Sequence, residues 1–202
     1  SKIGDPRIIF FNIPKRGYRY PPVGINHWLA GPVTAANQAL RMVKGDWIAR
    51  LDDDDIWTED HLEALLNFAL QGKFEFVSGA HETINDQNEI ILLGKDFPDN
   101  LLRRYLNVES EFDPNGEIVV GSPSAWLYRS YLSFMEYNID CWRKNHNRVN
   151  DLDFIERVYL IGVKIGFLDK KVMSYFPRPN EPIGAKAFKD NTSMEEKYKF
   201  TI

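Results

Sequence analysis

Residues 31–57, GPVTAANQALRMVKGDWIARLDDDDIW, carry the reading of this chain. Gly31-Pro32 opens a predicted helix in which Val33, Ala36, Leu40 and Val43 recur at helical spacing, and Gly45 stands where a C-terminal cap belongs. The next segment, DWIARL, is short, β-prone at its centre and bounded by breakers, which predicts a strand. Four aspartates, Asp52 to Asp55, follow its carboxyl end. Like charges about 4 Å apart repel by about 1 kcal/mol in water and by roughly 4 kcal/mol near a protein surface. Such a run calls for something that offsets it.

Working outward, Thr58 is expected as the N-cap of a second helix, with Glu59 and Asp60 in its first turn and Leu62, Leu65, Leu66 and Ala69 on its buried face. Gln71-Gly72-Lys73 ends it. FEFVSGAH reads as a strand, INDQNE as a turn and IILLG as the hairpin partner. Upstream, RIIFF (residues 7–11) reads as a buried strand, and Pro14 to Pro32 as loop. Downstream, residues 98–107 are expected as a short helix, and EIVVGSPSAWLYR as strand broken at Gly121-Ser122-Pro123. DLDFIERVYLIG then reads as a helix, VKIGFL and KVMSYF as two strands, and residues 177–202 as a polar tail. Strand alternating with helix predicts a three-layer α/β core with a mixed sheet.

Composition narrows the function classes. The chain has 202 residues, 44% apolar and 13% aromatic, enough for one substantial core, and a single domain over 1–202 is expected. A net charge of −4 with no basic stripe argues against a nucleic-acid backbone as partner. Cys141 is the only cysteine, which excludes an internal disulfide and a cysteine-based metal site and suits a reducing compartment, so a cytoplasmic location is expected. No apolar run is long enough to span a membrane.

In an open α/β sheet ligands lie beyond the carboxyl ends of the strands, where DWIARL delivers the aspartates. Hard divalent cations take carboxylate oxygens, and Mg²⁺ is usually held by one or two carboxylates together with substrate phosphates. The competing reading is a solvated acidic turn at a helix N-terminus. A helix-loop-helix calcium site fails, because counting from Asp52 places Ile56 and Trp57 at positions five and six, where an oxygen ligand and a glycine are needed. Neither a Walker-type loop nor GxGxxG is present.

The order of glycine, Asn-bearing helix, Gly-Asp pair, apolar strand and Leu-Asp-x-Asp-Asp with a following aromatic resembles the central signature of GT-A fold, family 2 glycosyltransferases. NDLDFIERVYLIGVKIGFLDKKVMSYFPR, residues 150–178, is similar to a later segment of the same family. The resemblance implies a Rossmann-like GT-A fold and an inverting, metal-dependent enzyme. It would use Mn²⁺ or Mg²⁺ to move a sugar from a nucleotide-diphosphate donor, expected to be a UDP-sugar, to a glycan or other hydroxyl acceptor. Carried over by position, it implies Asp52 and Asp54 as metal ligands, Asp52, Asp53 and Asn37 on the donor, and Asp55 in support. Asp151 would be the base that activates the acceptor. Arg178, in the Pro-containing tail, would reach the diphosphate.

Three departures stand out: Asn150 replaces the Glu of the usual Glu-Asp pair, Ala36 replaces the Arg often found before the helix Asn, and the N-terminal nucleotide-binding strands have no counterpart in these residues. A partial glycosyltransferase domain is therefore expected. Asp151 and Asp153 also sit where a helix N-cap would be, a structural alternative to catalysis. Trp57, Trp126 and Trp142 could stack on a sugar but are more often core residues. His27-Trp28, read as lying in the loop before the Asn helix, could touch a ligand, though a lone loop His is usually solvated. His61 falls in the helix after the acidic turn, and His81 and His146 have no metal-like spacing. Two other functions stay open at this level, a nucleotidyltransferase on a similar fold and a non-catalytic carbohydrate- or metal-binding module.

Overall fold

The computed structural model describes residues 5–13, 20–21, 24–84, 88–94, 119–144 and 149–175. Within them a six-stranded sheet is built from β1 (Trp47–Ala49), β2 (Asp55–Trp57), β3 (Phe76–Ile84), β4 (Ile90–Leu93), β5 (Trp126–Arg129) and β6 (Ile165–Tyr175). The strand order is β1-β5-β3-β6-β2, with β4 also paired to β3. Only β3 and β6 pair in parallel; the other pairings are antiparallel. The helices are α1 (Gly24–Ala30), α2 (Val33–Leu40), α3 (His61–Gly72) and α4 (Asn150–Leu160).

The three layers follow from period-two alternation along the strands. Ile48, Phe76, Trp126 and Tyr128 point to one face, where they meet Leu29, Val33, Leu40, Phe154, Ile155 and Val158 from α1, α2 and α4. Val77 and Leu127 point to the other, against Leu65 and Ala69 of α3 and Val172 and Met173 of β6. β3 is buried on both faces over Phe76–His81, as a central strand covered by helices must be.

Several expectations are corrected. Residues 7–11 are not a buried strand: no ladder partner faces them among the described residues, and Ile8, Ile9, Phe10 and Phe11 are exposed. Gly24–Ala30, read as loop, is a helix that burial of Leu29 and Ala30 holds in place. Helix α2 stops at Leu40, short of Val43 and Gly45, because Met42 and Val43 donate to the carbonyls of Ala39 and Leu40 in a tighter turn.

Helix α3 starts at His61 with Asp60 before it; Thr58 instead donates its hydroxyl to Asp60 Oδ1 and the Val172 carbonyl. Its buried face carries His61, Leu65 and Ala69, while Leu62 is exposed. Finally, VKIGFL and KVMSYF form one strand, β6. Its polar Asp169 and Lys170 lie where the register against β3 slips between Gly79 and Ala80, a bulge and not a turn. The expected helix at 98–107 and the tail at 177–202 lie outside the described residues.

Candidate active site at the acidic strand end

The pairings make β1, β3 and β6 run in the same direction, so their carboxyl ends share one edge of the molecule. β1 and β2 lie at opposite ends of the strand order. The chain from Arg50 to Asp54 therefore crosses the carboxyl end of the sheet before β2 pairs with Met173–Tyr175 at the end of β6. The acidic run is this crossing, and its last aspartate already belongs to a strand.

What offsets the charge is Arg50. Its Nε and Nη2 donate to Asp52 Oδ1 and Oδ2 at 2.7 and 3.0 Å, a bidentate pair that is largely shielded from solvent. The guanidinium lies 5.4 Å from the centroid of the Tyr137 ring. Burial works against its charge, but Tyr137 and Asp52 outweigh that and hold it firmly protonated. Tyr137 is fixed from two sides. Its ring stacks on Phe154 of α4 at 4.7 Å, and the Asn37 amide clasps its backbone, donating to the Tyr137 carbonyl (2.9 Å) and accepting its N–H (2.7 Å).

Asp151 comes to the same place from the other end of the chain. It lies in the first turn of α4, where Val149 and not Asp151 is the capping position. Its Oδ1 accepts the Leu152 N–H at 2.9 Å. Burial raises its pKa; the nearby Arg50 opposes the rise, and Asp52 adds to it. Asp52, Arg50 and Asp151 thus form one electrostatic group although α4 follows the acidic run by about a hundred residues. Asp153 faces away into the protein, wholly buried between Lys144 and Arg157 Nε, the latter at 2.9 Å. Asn150 is also structural: its Nδ2 donates to the Leu29 carbonyl at 2.9 Å and ties α4 to α1.

The rest of the run is graded in burial. Asp53 is exposed and Asp54 half-buried. Asp55 is desolvated, with Asp52 and Asp54 close by, and its pKa is pushed up to about 6 against a hydrogen bond from the Ser124 side chain. Its Oδ1 is buried without a hydrogen-bond partner among the described residues.

No three His, Cys, Asp or Glu side chains among the described residues converge as a self-sufficient metal site. Two hard carboxylates beside a buried, unpartnered carboxylate oxygen fit a small divalent cation that draws its remaining ligands from a diphosphate and water. Arg178 lies outside the described residues, so Asp52, Asp53, Asp54 and Asp151 gather at this end of the sheet while Asn37 reaches it through Tyr137. Of the tryptophans, Trp126 and Trp142 are core, and Trp57 closes the crossing, its indole stacked 4.2 Å from His61.

Sequence reading missed Arg50, Ser124 and Tyr137. Arg50 could have been found as the one cation on the strand that delivers four anions; Ser124 and Tyr137 carried no comparable signal.

The model of one family, described as Glycosyl transferase family 2, matches residues 25–133, more than half of the 202. The chain belongs to glycosyl transferase family 2. A family relative, the E. coli UDP-Glc:alpha-D-GlcNAc-diphosphoundecaprenol beta-1,3-glucosyltransferase WfgD, is 36% identical over 63 residues, 31% of this chain and 25% of that enzyme. The match thus spans a quarter of that relative's length. Among solved structures, glucosyl-3-phosphoglycerate synthase from Mycobacterium tuberculosis, in complex with phosphoglyceric acid, aligns with a TM-score of 0.51 at 13% identity, over 83% of this chain and 55% of that one. S. aureus TarS 1-349, in complex with UDP-GlcNAc, aligns at 0.48 and 16% identity, over 72% of this chain and 38% of its own. The mixed α/β sheet with helices on both faces is the GT-A fold that the family resemblance implied. Among the described residues no helix is long and apolar enough to cross a membrane.

Proposed function

We propose that this chain carries the donor-side carboxylates and the base of an inverting glycosyltransferase that moves a sugar from a nucleotide-diphosphate donor, a UDP-sugar, to a hydroxyl acceptor. The observation that carries this reading is the meeting of Asp52 from the acidic crossing with Asp151 from α4 around Arg50. The family match and the UDP-Glc in the name of the WfgD relative support the donor class.

In this reading Asp54 and Asp52 hold a Mn²⁺ or Mg²⁺ ion that, when bound, stabilises negative charge on the departing diphosphate. Asp53, at the exposed edge of the run, is assigned to the donor, and so is Arg178. Arg50 keeps the Asp52 carboxylate in one orientation. Asn37 serves the donor side indirectly, by holding Tyr137 against Arg50. Asp151 takes the proton of the acceptor hydroxyl as its oxygen bonds to the anomeric carbon, while the bond from that carbon to the diphosphate oxygen breaks on the opposite face. Burial raises the Asp151 pKa, which brings it nearer the working pH and strengthens it as a base.

The test is turnover of a UDP-sugar by wild type and Asp151→Asn. Loss of a general base predicts a rate lower by about a hundredfold or more with UDP affinity unchanged. Wild-type activity in Asp151→Asn would remove it from the mechanism.

A further inference from the structure

We propose that Ser124 is the positioning residue that fixes the acidic crossing in its ligand-binding conformation. The proposal rests on the donor reading above and adds a residue to it. Arg50 forms its bidentate pair with Asp52, at the start of the four neighbouring anions, and Ser124 meets the same run from the sheet side.

Ser124 touches the crossing at three points. Its Oγ accepts the backbone N–H of Asp52 at 3.0 Å, at the entry to the run. Its side chain also lies close enough to the Asp55 carboxylate, at the exit, to lower that group's pKa against the rise from burial. Its carbonyl accepts the indole N–H of Trp57 at 2.7 Å, one residue before the chain turns toward α3. A hydroxyl has one proton and two lone pairs, so it can accept from Asp52 while donating to Asp55. The residue is wholly buried, so water does not compete for these contacts.

Ser124 is itself held rigidly. It lies in a 3₁₀ turn, Pro123–Ala125, immediately before β5. Gly121 anchors the approach: its N–H donates to Ser78 Oγ at 2.7 Å, and a Cβ there would stand 2.4 Å from the Gly79 carbonyl oxygen. Only a glycine lets this segment lie directly on β3. The Trp126 indole then donates back to the Gly121 carbonyl at 2.8 Å. The serine is thus mounted on the centre of the sheet and reaches over its carboxyl end to both limbs of the crossing.

Asp53 and Asp54 lie between Asp52 and Asp55, so a shift of the crossing carries both of them with it. Losing the hydroxyl frees the Asp52 amide and removes a polar neighbour of Asp55, whereas the carbonyl contact to Trp57 survives in an alanine variant.

The experiment compares wild type, Ser124→Ala and Ser124→Thr in titration calorimetry with UDP and Mn²⁺, alongside amide hydrogen exchange and melting temperature. Ser124→Ala is expected to bind at least tenfold more weakly, and the Asp52 amide to exchange at least tenfold faster, with β3 protection and melting temperature close to wild type. Ser124→Thr keeps the hydroxyl and is expected to bind within threefold of wild type, although crowding lowers its melting temperature. Wild type that binds no UDP with Mn²⁺ overturns the donor reading and this assignment with it. Wild-type binding matched by Ser124→Ala overturns the Ser124 assignment alone, as does unchanged exchange at Asp52.

Discussion

Asp55, Asp151 and Asp153 are three carboxylates with three different surroundings, and substitution by Asn separates them. Asp55 has its pKa raised by burial to about 6, above its unfolded value of 3.8. Its neutral form therefore favours the fold below about pH 4, and that contribution is lost as pH rises through 6. Asp55→Asn is expected to raise stability above pH 7, by about 1 kcal/mol after allowance for partial solvent screening. Urea unfolding at pH 4 and pH 8 should show the gain only at the higher pH. Asp153 is clamped by Lys144 and Arg157, so Asp153→Asn breaks a buried ion pair and should cost about 3 kcal/mol at neutral pH in the same assay. Asp151→Asn separates from both by lowering turnover while stability holds. Because Asp151 must be ionised to act and its pKa is raised, the acid limb of kcat/KM should lie above the ordinary carboxylate range. Arg50 acts on Asp55 and Asp151, and a lone cation beside four anions is the kind of charge pairing a sequence displays. Ser124 displays nothing of the kind, since its role comes entirely from where β3 and Gly121 place it.

The elements legible in the sequence are those whose pattern is local. Trp47–Ala49, Phe76–Ile84 with its hairpin partner, and Asn150–Leu160 were readable because their periodicity and breakers lie within a dozen residues. Elements made by distant partners were not. β2 is three residues at the end of an acidic run and is a strand only because β6 pairs with it. Asp169 and Lys170 look like a turn until β3 supplies a ladder that absorbs them as a bulge. Helix α1 hides in a Pro-, Gly- and Tyr-rich stretch because its stability comes from Leu29, whose carbonyl accepts from both Cys141 Sγ and Asn150 Nδ2. Helix α2 shows the same dependence at a testable point. Asn37 links it to the Tyr137 backbone by a reciprocal pair of hydrogen bonds, and Arg41 adds an exposed ion pair to Glu136. Asn37→Ala should cost about 2 kcal/mol in chemical denaturation, as both bonds go and the Tyr137 N–H loses its acceptor. Arg41→Ala should cost under about 1 kcal/mol.

At the scale of the molecule, ligand binding and stability are one measurement. If UDP and Mn²⁺ bind the folded chain alone, a concentration a hundred times Kd adds about 2.7 kcal/mol. For a protein of this size that corresponds to a rise of about 5–10 °C in melting temperature. Asp54→Ala should abolish the Mn²⁺-dependent part of the rise, as seen by scanning fluorimetry; an unchanged response would remove Asp54 from the cation. The parallel pairing of β3 with β6 sets a different limit, on how the chain is made. During synthesis the β3–β4 hairpin can close early, since its strands are neighbours in sequence. The opposite edge of β3 waits for Ile165–Tyr175, the last strand of the described chain. Until that strand leaves the ribosome, the most buried strand of the sheet offers an open row of amides and carbonyls to any passing chain. β2 waits as well, because β6 is the strand it pairs with, so the acidic crossing takes shape only at the end. A nascent chain halted at Lys164 should accordingly be bound by chaperones and cleaved readily by protease, whereas one extended past Tyr175 should resist both.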